Sequence, residues 1–295
     1  MTKLEAAGPA PSAVGAMDAR TDALPRVSSP ILVTGGTGTL GRLVVARLRE
    51  AGRDVRVLSR SKHDGSQGID FVTGDLTTND GIEAAVGGTE IIVHCAGSSK
   101  GDAEKIRPLV RAASHAGARH LVYISVVGAD RVPVVSGIDR AMFGYFASKL
   151  ATERVVADSG LPWTTLRATQ FYDLMFMTLC QMARLPLIPV PAGFRFQPVD
   201  APEVADRLVE LALGRPAGLV SDMAGQRVYG LAELLRGYLR TRRMHRPIVA
   251  VWMPGKAASA FKAGANLSSG APLGRRTWED FLAARVSSPS VSRPA

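Results

Sequence analysis

One segment restricts the fold of this chain more than any other: Pro30-Ile31-Leu32-Val33-Thr34-Gly35-Gly36-Thr37-Gly38-Thr39-Leu40-Gly41. Its apolar start is a short run ending in glycine, the mark of a buried strand over 30–35. Leu40, Leu43, Val44, Leu48 and Ala51 then recur at helical spacing until Gly52 stops the helix. The glycines between fit both GxGxxG (36, 38, 41) and GxxGxxG (35, 38, 41). Glycine permits the tight turn, close approach of backbone to a ligand, and close packing of helix on strand. A strand turning this sharply into a helix opens a βαβ unit. The amides at the helix start then face a pyrophosphate, aided by the helix dipole.

The same alternation continues. Apolar runs at 54–59, 69–73, 90–94, 120–125 and 162–167 predict five further strands, with helices over 102–116 and 138–159. This pattern implies an α/β fold, a doubly wound parallel sheet of the Rossmann kind, with ligands beyond the carboxyl ends of its strands. From 169 onward the alternation loosens, and Pro186, Pro189, Pro191 and Pro198 punctuate the chain. The expected organisation is a disordered leader over 1–28, a nucleotide-binding core over 29–168, and a disordered tail over 284–295. Between core and tail, 169–283 would hold the last sheet strands and a small C-terminal substrate region. Met17 is an alternative start within the leader, which lacks the apolar stretch of a secretory signal.

Composition narrows the function classes. At 46% hydrophobic and 21% charged, the chain packs a core rather than staying disordered. The most apolar stretch, 171–190, contains Asp173, Gln181, Arg184 and two prolines, so no transmembrane segment is expected. Two cysteines, Cys95 and Cys180, make no disulfide framework and suit a reducing cytoplasm. The five histidines show no metal-ligand spacing, so no metal is expected. The net charge of +10 comes mostly from arginines spread along the chain, with one cluster at Arg236, Arg240, Arg242, Arg243 and Arg246. Residues 236, 240 and 243 share one helix face, and 242 and 246 another, which reads as a solvated helix end. An anionic membrane surface or nucleic acid are the other partners such a cluster serves. No aromatic interleaving accompanies it, so nucleic acid is not expected.

The second strand ends in Leu58-Ser59-Arg60-Ser61-Lys62, without the acid that would grip the ribose 2′-hydroxyl of NAD. Arg60 can instead pair with a 2′-phosphate, helped by Lys62 or Arg42, so NADP(H) is favoured over NAD(H).

These stretches resemble the atypical short-chain dehydrogenases/reductases of the NmrA-like, NAD(P)H-binding kind. The resemblance rests on 34–41, Leu58-Ser59-Arg60, Gly74-Asp75-Leu76, Ala96-Gly97, 123–128, 148–153, 161–171, 254–257 and 277–282, and spans about 30–283. It implies that Asp75 and Leu76 line the adenine site. It places Ala96 and Gly97 near the nicotinamide-side ribose, and Thr169, Gln170 and Phe171 near the nicotinamide. Read alone, Asp75 is equally a helix cap or turn residue. The family includes reductases, NADPH-binding redox sensors and an accessory subunit of respiratory complex I.

A candidate catalytic centre lies at Ser125, Tyr145 and Lys149. A spacing of four puts Tyr145 and Lys149 on one helix face, after the strand that Ser125 ends. Carbonyl reduction needs a proton donor beside the hydride acceptor, and a free tyrosine titrates near ~10. Bringing it to neutrality takes about 4 kcal/mol. One cation about 4 Å away at an effective dielectric of ~20 supplies that order of energy. Lys149 would also hold the ribose hydroxyls, and Ser125 would place the substrate oxygen. The alternative is that Tyr145 packs beside Phe143 and Phe146 while Lys149 only anchors the cofactor.

The run Phe171, Tyr172, Met175, Phe176 and Met177 reads as a lid or apolar substrate wall. The expected function is an NADP(H)-dependent oxidoreductase moving hydride to or from a carbonyl, enone or quinone of an apolar small molecule. The alternative is a non-catalytic NADPH sensor or accessory subunit acting through a protein partner. A nucleotide-sugar epimerase would need a second nucleotide pocket, for which the sequence carries no signature.

Overall fold

The computed structural model describes residues 29–65, 68–97, 101–270 and 274–287. In chain order the first part contains β1 (Ile31–Thr34), α1 (Thr39–Glu50), β2 (Val55–Ser59), β3 (Ile69–Thr73), α2 (Ile82–Val86), β4 (Ile91–His94), α3 (Asp102–His115), β5 (His120–Val126), α4 (Gly137–Ala157) and β6 (Trp163–Ala168). The second part contains α5 (Tyr172–Met182), β7 (Ile188–Pro191), β8 (Arg195–Phe196), α6 (Ala201–Leu213), β9 (Gly218–Leu219), β10 (Tyr229–Gly230), α7 (Leu231–Thr241), β11 (Ile248–Val251), α8 (Lys256–Ala263) and α9 (Trp278–Ser287). Residues 284–287 thus form the last turn of α9, whereas 1–28 and 288–295 lie outside the described residues.

Seven strands form one parallel sheet in the order β3-β2-β1-β4-β5-β6-β9. The chain runs outward from β1 to β3 and then returns to β4 on the other side of β1. The direction of winding reverses there, opening a crevice between the loops after β1 and β4. Ile31 of β1 pairs with Val55 on one side and Ile91 on the other, so the central strand is buried at every residue.

Strand alternation divides the core between two faces. Ile31, Val33, Val57, Val93, Val122 and Leu166 meet α1 and α6 on one side. Leu32, Ile92, Leu121 and Tyr123 meet α2, α3 and α4 on the other. Fully burying a side chain of this size contributes about 1.5–3 kcal/mol, so these two layers dominate the stability of the sheet.

Two smaller clusters complete the described chain. Tyr172 and Met175 of α5 join Leu234 and Tyr238 of α7 and Trp278 and Phe281 of α9. The Tyr172 and Trp278 rings lie 5.3 and 5.4 Å from that of Phe281. This corrects the expectation for the aromatic and methionine run. Tyr172 and Met175 are core residues covered by α9 and α7, and only Met177 of the run is largely exposed. The second cluster joins Phe143 and Phe146 of α4 to Phe194 and Phe261. Ser136 and Asp139 form a capping box at the start of α4, and Asp139 also accepts the Ala257 amide at 3.2 Å, fastening α8 to it.

Among the described residues, no helix is long and apolar enough to cross a membrane. No group of three or more His, Cys, Asp or Glu among them could hold a metal ion.

Candidate functional site

The glycine turn opens a cleft of about 340 Å³ at the crevice between β1 and β4. Gly35 has φ +71°, and a Cβ on it would lie 2.6 Å from the Ala96 amide nitrogen. A Cβ on Gly41 would lie 2.0 Å from the Gly35 carbonyl, and one on Gly36 would lie 2.7 Å from Val57 Cγ1. The glycines therefore do different work. Gly35 and Gly38 line the cleft, while Gly36 and Gly41 let the helix close on the sheet. Thr37 lines the cleft as well, whereas Thr39 and Leu40 fall outside its lining and Leu40 is buried in the core.

Helix α1 begins at Gly38 with no side-chain cap and no acidic residue in its first turn. A helix start of that kind presents amides and a positive dipole end to an anion. Ser59 and Arg60 continue the cleft at the end of β2, Asp75 and Leu76 after β3, and Ala96 and Gly97 after β4. Arg60 is exposed. The Ser59 hydroxyl is already engaged by the Ser61 amide at 3.3 Å and by His63 Nε2 at 3.1 Å. Asp75 accepts the Thr77 amide at 2.8 Å, and that bond chiefly holds its carboxyl below the usual carboxylate range. It is thus a turn residue and a cleft residue at once. The clearances, the uncapped helix start and the arginine fit an anionic nucleotide.

His94 at the end of β4 and Cys95 just after it also line the cleft, as sheet-end residues beside the expected cofactor. Sequence reasoning missed Asp102 and Lys105, cleft walls in the first turn of α3. His94 Nδ1 and Thr34 Oγ1 are hydrogen-bonded at 2.6 Å, and burial pulls the imidazole down to about 3. Burial pushes the Cys95 thiol up to about 12, so it is not a reactive thiolate at neutral pH.

Ser125, Tyr145 and Lys149 lie outside the cleft lining; Lys149 stands behind Gly97 with the Tyr145 ring beside it. Lys149 is 3% exposed, and a Cβ on Gly97 would lie 3.0 Å from its Nζ. Its ammonium donates to the Ile124 carbonyl at 3.4 Å and stands 3.7 Å from Asp102 Oδ2. The Tyr123 and Tyr145 ring centroids lie 5.0 and 5.6 Å from Nζ. Burial lowers the lysine's pKa, with Asp102 opposing. Ser125 is buried, and its Oγ has no hydrogen-bond partner among the described residues.

Tyr145 keeps 41% of its surface exposed, but desolvation of its hydroxyl, and next the charge of Asp102, push it up to about 12. This is opposite to the direction expected from Lys149 alone. Asp102 stands 3.7 Å from the same ammonium, and its negative charge favours the neutral phenol.

Thr169, Gln170 and Phe171 lie outside the cleft lining. Thr169 donates to the Gln197 carbonyl at 2.6 Å, and Phe171 is the N-cap residue of α5, packed on the sheet core. Gln170 has a buried Oε1 with no hydrogen-bond partner among the described residues.

Residues 35–175 match the model of a family described as NAD(P)H-binding. An uncharacterised protein of Mycobacterium tuberculosis shares 26% identity over 185 residues, 62% of this chain and 20% of its own length. This chain therefore spans about a fifth of that relative. A (4-alkanoyl-5-oxo-2,5-dihydrofuran-3-yl)methyl phosphate reductase of Streptomyces griseus is 32% identical over 145 residues, covering 48% of each protein. A ceramide reductase of Caulobacter vibrioides is 28% identical over 270 residues, covering 83% of this chain and 82% of the relative. Among solved structures, the NADPH complex of an NADPH-dependent quinone oxidoreductase from Escherichia coli superposes with a TM-score of 0.72 at 19% identity. That match covers 86% of this chain and 99% of the other and bears on the fold. Sheet order, glycine turn and family match agree: the fold is a Rossmann-type parallel sheet, and residues 35–175 are similar to an NAD(P)H-binding domain.

Proposed function

We propose that the protein is an NADP(H)-dependent oxidoreductase that transfers hydride to or from a carbonyl, enone or quinone of an apolar small molecule. The observation that carries the reading is an arginine, Arg60, at the end of β2 in a cleft that starts at an uncapped helix. In this reading the amides around Gly35, Thr37 and Gly38 hold the pyrophosphate, and Arg60 pairs with the 2′-phosphate. Asp75 and Leu76 flank the adenine, and Ala96 and Gly97 the second ribose. When bound, NADP(H) supplies or accepts the hydride. The reductase names of the Streptomyces and Caulobacter relatives support the reaction class.

Reduction of a carbonyl requires one proton at its oxygen. Tyr145 donates it, because a phenol held up at about 12 stays protonated at neutral pH and is still far more acidic than an alcohol. Ser125, whose hydroxyl has no partner within the described residues, takes the substrate oxygen as a hydrogen-bond acceptor. Lys149, fixed by Asp102 and the Ile124 carbonyl, stands ready behind Gly97 for the ribose hydroxyls.

Consumption of NADPH with quinone and carbonyl acceptors tests this reading. The wild type is expected to turn over, with kcat for Tyr145→Phe about 10²–10⁴-fold lower and NADPH affinity unchanged. Equal rates remove Tyr145 from the mechanism. NADPH binding without consumption by any acceptor overturns the enzymatic reading in favour of a sensor.

A further inference from the structure

Basic residues occur throughout the chain, but acidic ones do not. Between Glu233 and Glu279 stand nine Lys and Arg residues and no Asp or Glu, against +10 for the whole chain. The excess charge is therefore concentrated where α7 ends. There an open concavity of about 970 Å³ is walled by Arg236, Arg240, Arg243, His245 and Arg246. Its remaining lining is apolar: Leu239, Met244, Pro247 and Ile248. It shares no residue with the nucleotide cleft.

Three further observations distinguish this face from an ordinary solvated helix end. First, all four arginines that wall the concavity, Arg236, Arg240, Arg243 and Arg246, are exposed, and none forms an ion pair among the described residues. Second, Arg243 has φ +54° just past the C-cap of α7, a position that favours glycine or asparagine. An arginine there keeps a strained backbone, and it walls the concavity. Third, the Ile188 amide donates to the Pro247 carbonyl at 2.9 Å, so 185–187 run along the rim. Leu185 and Leu187 on that rim are 44% and 50% exposed.

We propose that this face docks on an anionic phospholipid bilayer, with the arginines against headgroup phosphates and Leu185 and Leu187 in the interfacial zone. Unpaired arginines beside exposed leucines are the combination that an anionic lipid–water boundary binds. A duplex nucleic acid would use the charges but leave the leucines in water. The lining of the concavity contains no Phe, Tyr or Trp on which successive single-stranded bases could stack, and His245 is its single ring. The proposal stands independently of the nucleotide reading.

The test mixes full-length protein with phosphatidylcholine vesicles, pure or with about 30 mol % phosphatidylglycerol, and reads partitioning by sedimentation. Binding is expected only to the anionic vesicles and to weaken with salt. Arg236→Gln, Arg240→Gln and Arg246→Gln should each lower it roughly five-fold. Leu187→Ser should lower it about as much without changing charge. Arg243→Gly should weaken vesicle binding while raising the melting temperature, opposite signs that an arginine with only a structural role would not give. A cooperative melt of each variant shows that it is folded. Equal partitioning to neutral vesicles, undiminished binding by the Arg236→Gln/Arg240→Gln/Arg246→Gln protein, or tighter binding to a duplex oligonucleotide at the same salt overturns the proposal.

Discussion

Arg60 is exposed just after β2 on the cleft lining, so its charge is available to a ligand. A charge-assisted pair with a 2′-phosphate contributes about 1.5–3 kcal/mol. Arg60→Ala should therefore weaken NADPH binding by roughly ten- to a hundred-fold and leave NADH binding nearly unchanged, as read by titration calorimetry. His94 offers a second prediction at this scale. Burial depresses it from 6.5 to about 3, so the folded state stays neutral while the unfolded state takes a proton as pH falls. The stability it allows is complete above pH 6.5 and declines below it by up to about 1.4 kcal/mol per pH unit until the folded value is reached. Denaturant melts from pH 7 to 4 should show that slope, and His94→Asn should flatten it. An unchanged slope in the variant would assign the acid sensitivity to other groups. Tyr145 teaches the reverse lesson. Its spacing from Lys149 was legible, but its electrostatics were not, because Asp102 lies 47 residues before Lys149 in the chain and meets it only in the fold.

At the scale of elements, α4 joins the sheet to the chain around it, packing on α3, β5, β6 and α8. Its Glu153 binds Arg167 of β6 through Nε at 2.9 Å and Nη2 at 2.7 Å, and Asp130 takes Nη1 at 2.9 Å. The Arg167 and Glu153 side chains are each only 11% exposed. Removing one partner leaves a nearly buried guanidinium poorly compensated, so Glu153→Ala should cost about 3 kcal/mol in denaturant unfolding. A loss below about 1 kcal/mol would show that the pair behaves as a surface bridge. Six strands and the helices α1, α3 and α4 were readable because apolar runs and helical periods alternate over 30–167, whereas α2, five residues long, was not. Helix α6 was not read, although Val204, Leu208 and Leu211 repeat on one face, because the prolines before it obscured the pattern. β8, β9 and β10 were not, because each has only two residues and no period. The burial of Tyr172 and Met175 depends on α9, more than a hundred residues later, and no local pattern carries that information.

For the whole molecule, the fold determines where function can sit. The sheet reverses its winding at β1 and β4, and the cleft opens there with the glycine turn on one side and Ala96 and Gly97 on the other. The glycine-turn half of the candidate site was readable from sequence as a turn between strand and helix because it is contiguous in the chain. The half around Ser125, Tyr145 and Lys149 is assembled from β5, α3 and α4, and the aspartate that sets its charge was not readable. The basic face near α7 was visible as a cluster of arginines, but its meaning lay in the missing carboxylates around it. The proposed oxidoreductase function depends on one claim, that the cleft beside Gly35 and Arg60 holds a pyridine dinucleotide bearing a 2′-phosphate. Titration calorimetry of the purified protein with NADPH and NADH tests it most directly. The account predicts saturable heat at one site with NADPH and distinctly weaker binding of NADH. Absence of heat from both nucleotides would contradict it.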